Sequence, residues 1–160
     1  MGDGEGLTAY CGLYCGDCIP SNTRLFELLE ELRELATELH LDDYTELISH
    51  RDAAFADYPV FENILTLLAG LRCPAPCRRD GGRPTCAIRE CALNKGFEGC
   101  WECPDRSGCA LLDPLRGFHC GTIDDNLDAI AEYGLDGWQD SRGRHYPWSK
   151  EGGVAGSEEE

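Results

Sequence analysis

Between Ser21 and Leu39 the apolar residues Leu25, Leu28, Leu29, Leu32, Leu35, Ala36 and Leu39 recur at intervals of three and four, with acids and Arg33 between them. That period predicts an amphipathic α-helix, and Ser21, Asn22 or Thr23 can cap its start. Asp42 or Asp43 can open a second helix through Tyr44, Leu47 and Ile48. Pro59 suits the first turn of a third, which carries Phe61, Ile64, Leu65 and Leu68 on to Leu71. After Leu71 the periodicity stops. It resumes over 87–95, a short helix stopped by Gly96, and again where Thr122-Ile-Asp-Asp125 resembles a capping box. There Ile123, Leu127, Ile130 and Ala131 predict a last helix that ends at Gly134 and packs on the first three. No segment alternates convincingly, so the expected class is mainly α with little β: a small helical domain carrying irregular cysteine-rich loops.

The aperiodic stretch is where the chemistry gathers. Seven of the eleven cysteines fall between Cys73 and Cys109: Cys73-Pro-Ala-Pro-Cys77, Cys86-Ala-Ile-Arg-Glu-Cys91, Cys100-Trp-Glu-Cys103, then Cys109. Three more form Cys11-Gly-Leu-Tyr-Cys15-Gly-Asp-Cys18 just before the first helix. Thiols two or three residues apart on a tight turn can face one metal ion, and two such pairs complete a four-thiolate site. A loop-rich segment buries too little surface to offset its ordering entropy, whereas a structural zinc site contributes about 10–16 kcal/mol in peptides. A disulfide framework is the competing reading. The start, Met1-Gly-Asp-Gly-Glu-Gly6, has neither the basic nor the apolar region of an export signal, which places the chain in the reducing cytoplasm. There an odd number of cysteines points to metal rather than to disulfides.

Charge narrows the partners. The 160 residues carry a formal charge of −16, and thiolates around a divalent metal add to it, so nucleic acid is repelled and another protein is the expected partner. Arg72, Arg78, Arg79, Arg83 and Arg89 lie among the thiols, where they can offset thiolate charge. No apolar run reaches the roughly 20 residues needed to span a bilayer. The expected organisation is a flexible start over 1–9, a single domain over 10–148 and a disordered acidic tail over 149–160.

Three chemistries compete for the thiols. Two closed four-thiolate zinc sites, stabilising a protein-interaction domain, are the leading expectation. One set would be Cys73, Cys77, Cys100 and Cys103; the other would draw on Cys11, Cys15 and Cys18 with Cys86, Cys91 or Cys109. The alternative is a [4Fe-4S] cluster in an electron-transfer or accessory subunit. The third, thiol–disulfide catalysis at Cys15-Gly-Asp-Cys18 or Cys100-Trp-Glu-Cys103, lacks the strand that normally precedes such a pair. The opening loop has the spacing of the radical SAM cluster loop, but too little chain follows for that barrel. His119 and Cys120 adjoin without further context, and no carboxylate pair, phosphate loop or serine nucleophile stands out, so the reading leans away from an enzyme.

These residues together resemble a bacterial and archaeal cysteine-rich family, domain of unknown function number 3795. The resemblance runs from Tyr10 to about Trp138 through Cys11-Gly-Leu-Tyr-Cys15-x-x-Cys18, Cys73 to Cys77, Cys86-x-Ile88-Arg89-x-Cys91-Ala92, Lys95-Gly96, Cys100-x-x-Cys103, Asp125-Asn126 and Gly134-Leu135-x-x-Trp138. Similar proteins carry an aromatic residue and Pro before the last cysteine, where this chain has Arg106-Ser-Gly108 and one extra residue. The resemblance implies metal binding and adds no substrate.

Overall fold

The computed structural model describes residues 4–149, so the expected acidic tail beyond Ser149 and the first three residues lie outside the described part. Among the described residues there is no strand beyond one isolated bridge between Thr8 and Tyr14. The α-helices are α1 (Gly4–Leu7), α2 (Thr23–Glu38), α3 (Leu41–Ile48), α4 (Tyr58–Ala69), α5 (Ala87–Asn94), α6 (Asp113–His119) and α7 (Thr122–Gly137). The mainly helical class expected from the sequence is observed. No helix among the described residues is long and apolar enough to cross a membrane.

The chain divides into two compact units. One is continuous, Ile19–Cys73; the other joins the residues up to Cys18 with those from Pro74 onward. The continuous unit holds α2, α3 and α4. Asn22 caps α2 by accepting the Leu25 N–H at 2.9 Å, and Pro59 stands in the first turn of α4. Its buried cluster is small: Phe26, Leu29 and Leu65.

The other unit is built on α7, whose Ile123, Leu127 and Ile130 are buried with Ala9, Leu13, Trp101, Leu112 and Trp138. Each buried Leu or Ile among them contributes about 1.5–3 kcal/mol. The buried Trp138 indole N–H donates to Thr8 Oγ1 at 3.1 Å, so Thr8 and Ala9, counted in the expected flexible start, are part of this core. The apolar face of α7 meets the cysteine-loop residues. Two details also differ from expectation. Gly121, not Thr122, occupies the N-cap of α7, with no side-chain cap bond, so the capping box does not form. Gly134 does take a left-handed φ of 70°, but the chain kinks there and resumes helix to Gly137.

Candidate metal centre

Two short turns present thiols in the same way. Cys15–Asp17 and Cys100–Glu102 are each one turn of 3₁₀ helix, closed by the next cysteine donating its N–H back to the first cysteine's carbonyl at 3.1 Å. Both sulfurs of each pair therefore sit on one turn, as thiolate ligands of one centre require. Arg106–Gly108 repeats the device, with the Cys109 N–H on the Arg106 carbonyl at 3.3 Å. Gly99 leads into the second turn and must be glycine, since a Cβ there would fall 2.1 Å from the Trp101 ring. Gly12, at φ +85°, lets the first loop close against Leu127.

The Cys100–Glu102 and Arg106–Gly108 turns and α5 line a cavity of about 130 Å³. Cys91 from α5, Cys100 and Cys103 from the knuckle, and Cys109 from the following turn all line it. Ile88, Ala92, Phe97 and Leu112 add apolar wall, and Lys95 and Arg106 add cationic charge beside Asp105. Lys95 Nζ stands 4.0 Å from Cys103 Sγ as its donor. The backbone is held from outside: Arg106 donates to the Trp101 carbonyl at 2.5 Å and to Asp128 at 2.6 Å, and Cys100 donates its N–H to the Tyr10 carbonyl at 2.8 Å.

A second grouping adjoins the first. Burial, and then the charges of Cys109, Cys103, Cys91 and Cys86, push the Cys100 thiol up to about 12. Cys11 is pushed up to about 12 too, by burial first and then by Cys77, Cys100 and Cys86, against a lowering bond from the Leu13 backbone. Two thiols that resist ionisation this strongly are stabilised as thiolates once a cation sits beside them. The donor set therefore fits a thiolate-bound metal. Among the described residues no three cysteine sulfurs lie within 4.8 Å of one another. A single tetrahedral zinc, with bonds of about 2.3 Å, draws its sulfurs to about 3.8 Å of one another. A four-iron cluster holds its external thiolates further apart.

Cys15, Cys18 and Cys73 do not line this cavity. Cys15 packs against the α7 core, and Cys18 Sγ lies 3.5 Å from Tyr146 Oη. Cys73 closes the Ile19–Cys73 unit, its N–H on the Pro20 carbonyl at 2.7 Å. Of the expected set Cys73, Cys77, Cys100 and Cys103, the cavity brings together Cys100 and Cys103, and beside them stand Cys91 and Cys109. His40, Asp42 and Asp43 do lie within 4.8 Å of one another, but all are exposed on an acidic helix start. Two of the arginines among the thiols hold backbone. Arg78 donates to the carbonyls of Thr8 and Glu98 at 2.7 and 2.6 Å and stacks on Tyr10, while Arg89 binds those of Gly81, Arg83 and Pro84 at 2.8–3.0 Å. Lys95 and Tyr146 are the neighbours that sequence reasoning missed. Lys95 had a signal, four residues after Cys91 on the same helix face; Tyr146, 128 residues from Cys18, had none.

The cysteine loops, the α5 segment and the start of α6 fall inside residues 7–114, which match the model of a family described as protein of unknown function (DUF3795). The chain belongs to this family. No curated protein and no solved structure matches it. The DUF3795 match covers every cysteine that lines the cavity, and α7, which carries the core under it, lies beyond residue 114.

Proposed function

We propose that this protein carries a thiolate-held metal centre at Cys91, Cys100, Cys103 and Cys109, and that the centre is an iron–sulfur cluster. The observation that supports it is the geometry of the cavity: Cys91, Cys100, Cys103 and Cys109 all line about 130 Å³ of apolar-walled space, room for a cluster between four thiols. Bound there, a cluster would supply one-electron storage. The chain's own residues would hold it by four sulfurs, keep water from one side with Ile88, Ala92 and Leu112, and set cationic groups at Lys95 and Arg106. The role that fits is that of an electron-transfer or accessory protein acting through another protein.

Structural zinc is the second reading, and the Cys100–Cys103 turn favours it, since one closed knuckle presents two sulfurs to a single ion equally well. The two readings part on metal content. Protein purified without oxygen should contain iron and acid-labile sulfide and absorb broadly near ~400 nm. Zinc alone, at one or two per chain, would replace the cluster reading with the zinc one, and a folded chain without metal would end both.

A further inference from the structure

Helix α2 carries two apolar rows. Phe26, Leu29 and Ala36 are buried. On the adjoining face Leu25, Leu28, Leu32, Leu35 and, just past the helix end, Leu39 recur at three, four, three and four residues and remain 38–64% exposed. That spacing is the seam of a coiled coil, and a continuous apolar row of this length on a surface marks a docking site. One position before Leu32 and Leu39, on the flank where a partner helix would lie, stand Glu31 and Glu38, while Arg24, before Leu25, is paired with Glu27 at 3.8 Å. The Ile19–Cys73 unit as a whole holds eleven Asp and Glu against four Arg, a net −7.

We propose that this row docks a cationic amphipathic helix of another protein, apolar along one face and edged by Lys or Arg. Charge selects this occupant. A second copy would bring a like-charged unit against its equal, and an anionic lipid surface would be repelled in the same way. A basic helix meets both the five leucines and the acidic flank. The proposal rests on the reading of the chain as a protein-binding module, and is independent of which metal it holds.

The test uses the full chain and a labelled synthetic 18-residue helix with Leu at the heptad seam and Lys at the flanking positions, beside the same peptide with Glu at those flanks. In fluorescence anisotropy the Lys peptide should bind about 30-fold tighter at low salt, and the advantage should shrink in high salt. Leu28→Ser with Leu35→Ser should weaken binding by about tenfold or more with unchanged circular dichroism, because both side chains are exposed. Equal affinity for the two peptides, or no binding, overturns the proposal. So does a dimer in sedimentation equilibrium that the double substitution dissolves, which would assign the row to a second copy. Metal content is read on each preparation, so a metal-free chain that still binds the Lys peptide ends the metal reading and leaves the docking row standing.

Discussion

The guanidinium of Arg116 on α6 grips both carboxylate oxygens of Asp124 on α7, with Nε and Nη2 at 2.9 and 2.8 Å. Its remaining reach goes to Asp113 at 3.0 Å and to the carbonyls of Arg106 and Cys109, at 2.7 and 3.1 Å, which belong to the turn presenting Cys109. One side chain thus ties two helices to a wall of the cavity. Arg116→Gln should lower unfolding free energy by about 2–4 kcal/mol in denaturant melts, because it leaves several partly buried acceptors without donors. Arg116→Lys should recover little of this, since an ammonium cannot bind in the same fork. If Lys restores stability, charge alone holds the joint.

The cavity thiols and Cys120 should behave oppositely. Cys91→Ser, Cys100→Ser or Cys109→Ser each removes one of the four proposed ligands and should strip most of the metal, measured per chain by elemental analysis. Cys120 is exposed and stands at φ 53°, ψ −139°, a conformation that suits glycine. Cys120→Gly should keep the metal and raise stability by about 1 kcal/mol. Metal loss on Cys120→Gly would place that residue among the ligands.

How far the sequence carried depends on the range of the forces involved. α2, α4 and α5 were legible, with ends within about three residues, because their caps and periods are local: Asn22, Pro59 and Gly96 do what their chemistry requires. α6 was not anticipated. It is seven residues long, with Pro114 at its start and Gly117 inside, too short to show a period. α7 outran Gly134, where the chain kinks before resuming helix, and one turn further on the buried Trp138 anchors it against Thr8. That the cysteines cluster was legible, but which of them meet was not. Cys91 and Cys109 reach Cys100 through the placement of α5 and the Arg116 clasp, and nothing in the spacing records either.

His145 is buried beside His119, whose Nδ1 pairs with the His145 carbonyl. Burial first, and the neighbouring His119 second, hold the His145 imidazole down at about 4 against an ordinary 6.5. Its folded-state value lies below its unfolded one, so the unfolded chain binds the extra proton. The associated stability is complete above pH 6.5 and is lost as pH falls from there towards 4, by about 3 kcal/mol in all. Urea midpoints taken between pH 7.5 and 4 should fall more steeply for the wild type than for His145→Gln. Parallel curves would mean that the imidazole is solvated in the folded chain.

Gly99 offers the sharpest separation of fold from centre. A Cβ there would meet the Trp101 ring at 2.1 Å, and Trp101 is a buried member of the α7 core, so its ring has little room to yield. The backbone must then move instead, and the first groups to move are the Cys100 N–H, held at 2.8 Å by the Tyr10 carbonyl, and the Cys100–Cys103 turn behind it. Gly99→Ala should therefore cost about 1–3 kcal/mol in stability. It should also lower bound metal well beyond what that destabilisation accounts for, because two of the four cavity thiols ride on the displaced turn. Gly96→Ala is the matched control: it too is strained, at φ +69°, but nothing lies within 4 Å of its Cβ, so it should cost stability and leave metal content intact. Equal metal loss in the two variants would show that the centre responds to stability alone and that the Gly99 turn has no part in positioning the thiols.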